Sequence, residues 1–417
     1  MACIVPFKAL YYNTSRFGKD LGRFVAPPYD VIDRDRERRL KDDRLNITYL
    51  TLGDEEDAYA TAAKRLKRWL NDGVLINEKD PAFFICEQTF QTASGDVVVR
   101  TGIVGLVRLD DFSKGTVLPH ENTIPKHKAD RLALMSALRG DMEQIFMLYD
   151  DPDGAMEEIL QEWRRHEEVL RFIDEEGVHH RIVRIDDVEV CKRITGILGP
   201  RTMLIADGHH RYETALEYSR RERTASGGSG DRTCDHVLST LVSFRNSGLV
   251  INPTHRLISG LDGSLLDSLP DELRKRFDVE VCGSASELAE KVENGPSRAF
   301  GLFEPSKGTC LLVRPDGEPR GPLEDLSVYV LQERVLKEVL GYTAEMIDRK
   351  VNIEYLKGIA AAMSAMGTGE YQACFLVKAP SVEQVMAVSD SGLKMPQKST
   401  YFYPKIWSGT LMCLFDP

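Results

Sequence analysis

A chain of 417 residues is longer than one hydrophobic core usually serves, so two or three domains are expected, with a single large α/β unit as the alternative. Its 42% apolar and 29% charged composition is that of a globular protein, and no apolar run approaches the length that crosses a bilayer. The 54 basic and 65 acidic residues leave a net charge of −11, which opposes broad attachment to nucleic acid or anionic membrane and confines any phosphate site to a local pocket.

The opening Met1-Ala2-Cys3-Ile4-Val5-Pro6-Phe7-Lys8 lacks the pattern of a secretory signal, so a cytoplasmic location is expected. It reads as a short strand leading to the loop Ala26-Pro27-Pro28-Tyr29-Asp30-Val31-Ile32, whose paired prolines restrict the backbone. Ala58, Ala62, Leu66 and Leu70 form an apolar stripe that predicts a helix over about 53–72, stopped by Gly73. Strands are expected over 82–87 and 97–109, giving a sheet with a helix packed on it. After the polar stretch 118–128 come a helix to about 138, a strand over 145–149, a helix over 155–169, a strand over 181–185 and a helix over 187–197. Met203 to Ala206 forms a short strand. The Gly/Ser run 225–231 reads as a surface loop within one domain, followed by a strand over 237–244. Helices and strands fill 263–315, then helices are expected over 323–340 and 353–366 and a strand over 373–377. The eight scattered cysteines include no close pair, so buried thiols are expected in place of a zinc knuckle or redox dithiol.

Residues Ile205-Ala206-Asp207-Gly208-His209-His210-Arg211-Tyr212-Glu213-Thr214-Ala215 carry the strongest chemical signal. A strand that ends in Asp207-Gly208 and runs into a helix sets the helix's first N–H groups at the sheet's rim, where their positive end favours an anion. Gly208 permits a tight turn or close backbone approach, Arg211 supplies a planar fork of donors, and His209 and His210 add ring donors. Such a set suits a triphosphate. Glu213 and Glu217 share one face, and only Glu213 is expected near the phosphate end, orienting a basic group. The competing reading has Asp207 capping the helix while the histidines satisfy surface hydrogen bonds. Structural zinc is disfavoured because no Cys/His set stands nearby. Magnesium arriving with a nucleotide is expected instead, and Asp207, Glu121 and Asp30 are the carboxylates to test as its ligands or as bases.

Four segments together resemble DUF1015, a bacterial and archaeal domain family of unknown function: Pro27-Pro28-Tyr29-Asp30-Val31-Ile32, His120-Glu121-Asn122-Thr123, Ala206 through Ala215, and Met395-Pro396-Gln397-Lys398-Ser399-Thr400. The resemblance spans nearly the whole chain. More remotely, Gly208-His209-His210-Arg211 resembles the phosphate-binding turn of the ParB and sulfiredoxin superfamily, which includes free-serine kinases. Sulfiredoxins place a catalytic cysteine where this chain has His209, so sulfinic-acid repair is not implied. ParB proteins have a more basic turn and attached DNA-binding elements, neither evident here. The serine-kinase branch implies phosphate transfer to a small hydroxyl compound.

Further polar segments complete the expected site. Lys126, Lys128 and Arg131 follow Glu121, with Asp130 and Asp141 as acidic partners; the same charges also suit a solvated surface. Lys398, Ser399, Thr400 and Lys405 surround Tyr401-Phe402-Tyr403 and offer cations and hydroxyls to phosphate, although aromatic packing alone accounts for the cluster equally well. His255 and Arg256 in the Asn252-Pro253-Thr254-His255-Arg256 turn are secondary candidates for phosphate contact, although turn geometry alone accounts for Asn252-Pro253.

The resulting expectation is an α+β protein with mixed sheets: a nucleotide-binding region over 1–260, a smaller subdomain over 261–322, and a C-terminal region over 323–417 completing the site. It uses ATP or ADP with Mg2+ to phosphorylate a small hydroxyl metabolite, free serine being the most economical. Glu121 or Asp30 accepts the hydroxyl proton, His209, His210 and Arg211 hold phosphates, and Lys398 and Lys405 oppose developing charge. A nucleotide hydrolase or switch and a noncatalytic nucleotide- or metabolite-binding protein are the alternatives. The absence of a recognition-helix pair argues against nucleic acid, and the oligomeric state is left open.

Overall fold

The computed structural model describes residues 3–53, 57–92, 94–123, 125–227 and 230–416, with the side chains of 125–127 outside it. The chain divides into two compact units. Unit 1 comprises 1–119, 123–249 and 404–417, and unit 2 comprises 120–122 and 250–403.

Unit 1 is built on a mixed sheet whose strands, in chain order, are β1 (Ile4–Val5), β2 (Phe83–Gln91), β3 (Val97–Arg108), β4 (Val117–Leu118), β5 (Ile145–Tyr149), β6 (Glu168–Ile173), β7 (His179–Ile185), β8 (Met203–Asp207) and β9 (His236–Ser243). Their spatial order is β4-β8-β5-β9-β3-β2-β7-β6, with β1 on β3. The β8–β4 and β9–β5 pairs are parallel and the rest antiparallel. The central strands β5 and β9 are buried along their whole length, which is why β5 is a continuous apolar run with no alternation. Helices α1 (Ala58–Asn71), α2 (Pro125–Leu138), α3 (Ala155–Trp163), α4 (Val188–Leu198) and α5 (His209–Ser226) complete the unit. Tyr212 and Ala215 of α5 join Ile103, Ile145, Met147 and Ile205 in the core, so the helix that follows the His-His segment is anchored on the sheet.

Helix α1 buries Ala62, Leu66 and Trp69, and Gly73 follows it at φ 64, the left-handed position a glycine stop requires. The helix expected over 155–169 ends at Trp163, and Glu168–Ile173 is instead the edge strand β6. Within the Gly/Ser run, residues 228–229 lie outside the described set; the chain on both sides belongs to unit 1, as a loop within one domain requires.

In unit 2 the strands are β10 (Val250–Asn252), β11 (Thr254–Ile258), β12 (Asp278–Val281), β13 (Phe300–Glu304), β14 (Thr309–Arg314), β15 (Ile353–Lys357), β16 (Ala373–Val377) and β17 (Tyr401–Tyr403). An antiparallel sheet runs β12-β14-β13-β16-β11-β15, and β10 pairs separately with β17. Helices α6 (Gly263–Arg274), α7 (Ala285–Asn294), α8 (Ile359–Met366) and α9 (Val382–Asp390) accompany it. Residues 261–322 therefore share one sheet with strands from 254–258 and 353–377. The helix expected over 353–366 is corrected to strand β15 followed by α8, the two separated by Gly358 at φ 76. The helix expected over 323–340 starts at Ser327 and widens to a π-helix over Leu331–Lys337. Among the described residues no helix is long and apolar enough to cross a membrane, and every described cysteine is a free thiol.

Candidate functional site

The turn from β8 to α5 is made by Gly208 at φ 98, ψ 28, and among the described residues no side chain caps the helix. Asp207 is not the helix cap. One carboxylate oxygen accepts from Arg211 Nη2 at 2.7 Å and the other from the Lys405 ammonium. Arg211 folds back along the first helical turn and donates through Nη1 to the Gln144 carbonyl at 2.5 Å. A β-carbon on Gly208 would meet the guanidinium at 3.1–3.2 Å, so the close approach expected of this glycine is made by Arg211. Burial pushes the Asp207 carboxyl up, but Lys405 and Arg211 outweigh it and hold the group well below the usual carboxylate range. A protonated His209 would act in the same direction.

Around this turn unit 1 gathers groups from distant parts of the chain. Burial lowers the Arg211 pKa, and Glu143, Asp207, Asp30 and Tyr29 together reverse that effect. Glu143, with a side chain 8% exposed, accepts from the Ser408 hydroxyl at 2.9 Å and from the Tyr29 N–H at 3.4 Å. Arg131 lies 4.3 Å over the Tyr29 ring, donates to the Thr51 carbonyl at 3.1 Å and pairs with Asp130 at 2.6 Å. Burial pushes the Tyr29 phenol up to about 12. Asp30 is exposed and contributes by its charge.

On α5, His209 is buried and His210 half-buried. One turn on, Glu213 accepts from Lys128 at 2.5 Å and from the Thr123 hydroxyl at 2.8 Å. This carboxylate orients a basic group, Lys128. A groove of about 630 Å³ is lined by that pair together with Phe112, Leu132 and Leu216. The groove does not include Asp207. Each cation on its rim has its own carboxylate, Arg220 with Asp111 and Arg221 with Glu217, both at 2.7 Å.

Unit 2 holds the remaining sequence candidates. The ring Nε2 of His120 and the Thr400 hydroxyl are 2.9 Å apart, and the His120 carbonyl accepts from the Met395 N–H at 2.8 Å. Arg256 is buried on β11, donates to the Thr254 and Lys398 carbonyls and lies 5.4 Å from the Tyr355 ring. Burial pushes its pKa down to about 10 against the pull of Tyr355 and Glu121. Lys398 is exposed, with a backbone at φ 57 that its carbonyl contact with Arg256 helps hold. Ser399 is buried and spends its hydroxyl on the Pro396 carbonyl at 2.5 Å. Burial drives the neighbouring His255 down to about 4, so the ring is neutral and accepts from the Val377 N–H at 3.3 Å.

Unit 1 thus brings together Asp207, Gly208, Arg211 and Lys405, with Asp30 and Arg131 in the same electrostatic neighbourhood, while Glu121, Arg256, Lys398, Ser399, Thr400 and His255 belong to unit 2. The sequence reading missed Glu143 and Gln144 and gave Tyr29 no role beyond its segment, because their roles depend on tertiary contacts. Lys126 has its side chain outside the described set. Among the described residues no group of three or more His, Cys, Asp or Glu could hold a metal ion. Both oxygens of Asp207 already meet cations, a poor setting for a divalent ion at that carboxylate.

A strand and helix joined by a glycine turn, in an α+β protein with mixed sheets, define the class to which the chain can be assigned. The family model described as a protein of unknown function, DUF1015, matches residues 4–335, and the chain belongs to that family. No curated relative matches. Among solved structures the chain is similar to free serine kinase in complex with AMP, at 19% identity, covering 69% of this chain and 83% of that one with a TM-score of 0.37. It is similar also to a conserved hypothetical protein from Pyrococcus furiosus, at 18% identity, 70% and 89% coverage and a TM-score of 0.36. A third likeness is to SbnI with C-terminal truncation from Staphylococcus aureus, at 11% identity, 73% and 85% coverage and a TM-score of 0.35.

Proposed function

We propose that the protein is a magnesium-dependent phosphotransferase that binds ATP or ADP and phosphorylates a small hydroxyl metabolite, with free L-serine the most economical acceptor. One observation carries the reading: two cations from distant segments, Arg211 and Lys405, are fixed on the single carboxylate of Asp207 at the uncapped start of an 18-residue helix. Lys405 and the first amides of α5 supply positive charge at that helix N-terminus, while Glu143 and Asp30 offset the charge of Arg211, a preorganised setting for phosphate. The likeness of Gly208-His209-His210-Arg211 to a phosphate-binding turn supports it.

In this reading His209, His210 and the first amides of α5 meet the phosphates, and Lys405 opposes charge that develops during transfer. Arg211 serves mainly by holding the turn, because its donors are engaged by Asp207 and Gln144. Lys128 and Arg131 supply positive charge in unit 1; Arg256, Lys398 and the Thr400 hydroxyl supply polar groups in unit 2. A magnesium ion accompanying the nucleotide would have Glu121 as its first candidate protein ligand and would supply Lewis-acid stabilisation of phosphate charge. The acceptor oxygen bonds to the terminal phosphorus as the bond to the nucleotide breaks, and Glu121 takes the hydroxyl proton; Asp30 is the second candidate base.

The test is the full-length protein with magnesium, ATP or ADP and a panel of alcohols and amino acids, read by mass detection of a phosphorylated acceptor. A product that forms only with acceptor supports the transferase. Phosphate release without acceptor moves the assignment to a hydrolase or switch. Nucleotide binding with no turnover leaves a binding protein, and no binding of either nucleotide ends the reading.

A further inference from the structure

We infer that Gln88 is a positioning residue for Lys405, acting through a buried relay that ends where the chain re-enters unit 1 at Pro404. The functional consequence rests on the nucleotide reading above, while the geometry stands without it. Gln88 on β2 faces Arg100 on β3 across the ladder. Arg100 is 1% exposed, lies 4.6 Å over the Phe146 ring, and donates Nε to the Gln88 side-chain oxygen at 3.1 Å. Its Nη2 donates to the same oxygen and to the Pro404 carbonyl. The Gln88 amide nitrogen donates to the Lys405 carbonyl at 2.9 Å and lies 3.4 Å from His180 Nδ1.

Those contacts set the state of His180. The ring is stacked on Phe172 at 4.1 Å and its Nε2 meets Asp174 at 2.9 Å. Burial favours the neutral ring, so Nδ1 accepts from Gln88 and Nε2–H donates to Asp174. Asp174 also accepts the N–H groups of Glu176 and Val178, both at 2.9 Å, which ties the relay to the turn between β6 and β7.

The peptide carbonyls before and after the Lys405 α-carbon are therefore both held, one by Arg100 and one by Gln88. Fixing both peptide planes fixes the direction in which the lysine side chain leaves the backbone, and that direction leads to Asp207. A buried polar network whose members are all satisfied specifies one geometry, and removing one donor frees the segment it held.

Gln88→Leu removes both halves of the relay and leaves Arg100 short of an acceptor, so it risks the fold. Gln88→Glu keeps an acceptor for Arg100 and removes the amide donor shared by the Lys405 carbonyl and His180 Nδ1. Two readouts on the full chain test the inference: acylation of Lys405 by an N-hydroxysuccinimide ester, quantified by mass spectrometry against the exposed Lys114 and Lys192, and calorimetric affinity for magnesium–ADP. In folded Gln88→Glu, labelling of Lys405 rises severalfold and ADP affinity falls about tenfold, the scale of one charge-assisted hydrogen bond. Unchanged labelling of Lys405 in the folded variant overturns the inference. Increased labelling with unchanged ADP affinity upholds the relay and removes Lys405 from the phosphate site, so the two failures are distinct.

Discussion

Replacing Asp207 with asparagine leaves Arg211 and Lys405 in place but exchanges their shared carboxylate for an amide that can satisfy only one of them. Both cationic side chains are about one-tenth exposed, so the loss falls in the range for broken buried pairs, about 3 kcal/mol by urea unfolding. A change under about 1 kcal/mol would show that water already compensates these charges. Glu121→Gln asks a different question of a half-buried residue. As a general base, its loss lowers single-turnover transfer by about 10² to 10⁴ while nucleotide affinity survives; as a magnesium ligand, the variant needs more magnesium. Near-wild-type turnover at ordinary magnesium removes Glu121 from both roles and moves Asp30 forward. At this scale the sequence reveals residue types but not partners. The cluster of charges at 207–211 is visible in one string, whereas nothing near Glu143 or Gln88 signals what each will touch, because their partners at Ser408 and Lys405 come from the far end of the chain.

At the scale of elements, α5 has a left-handed glycine at each end, and the two differ in what surrounds them. Among the described residues a β-carbon added at Gly227 would meet nothing within 4 Å, whereas at Gly208 it would meet the pinned Arg211 guanidinium at 3.1–3.2 Å. Alanine at either site bears the left-handed backbone cost of about 1–2 kcal/mol, and only Gly208→Ala must also displace Arg211. Thermal melting is expected to fall further for Gly208→Ala than for Gly227→Ala, with ADP affinity reduced in the former alone; equal shifts would show that Arg211 yields freely. Elements with one strong signal were legible from sequence: β5 and β16 follow the expected ranges, and α1 ends where Gly73 requires. Residues 353–366 were not, because Ile353, Leu356, Ile359 and Met363 recur at helical spacing through both the strand and the helix. Pairing of β15 with β11 decides the first half, and Gly358 ends it. That competition is tertiary, and local spacing does not contain it.

For the whole molecule, buried carboxylates set opposing dependences on pH. Asp207 is held low, so its contribution is present above about pH 4 and is lost as pH falls below it. Asp141 behaves in the reverse sense. Burial outweighs the Leu238 N–H and Arg211 and raises it from its ordinary 3.8 to about 7, so its contribution is full in acid and is lost as pH rises from 4 to 7. His255, held neutral down to about pH 4, gains stability over part of that same interval and masks the loss. Asp141→Asn keeps the acceptor for Leu238 and removes the titration, so the variant should gain on the wild type between about pH 4.5 and pH 7.5 in urea midpoints. Parallel profiles would show that Asp141 ionises normally. The α+β class with mixed sheets was legible from the alternation of signals along the chain. The partition was not, since the Gly/Ser run that most resembles a linker lies inside unit 1, and the crossings at 119–123, 249–250 and 403–404 have no such composition.

Those crossings also set the order in which a ribosome can deliver the parts. The strand pair between Gly140–Asp141 and Cys413–Leu414, the Lys405 ammonium and the Arg100 clamp all wait on 404–417, yet the whole of 250–403 is synthesised in between. At roughly 5–20 residues per second that interval lasts about eight to thirty seconds, during which the Asp207 turn lacks the Lys405 counter-charge and Arg100 lacks its Pro404 carbonyl. Unit 2 can close during that pause. The segments of unit 1 thus lie on both sides of unit 2 in the chain, and a premature stop between 250 and 404 yields a product whose Asp207 turn lacks the Lys405 ammonium.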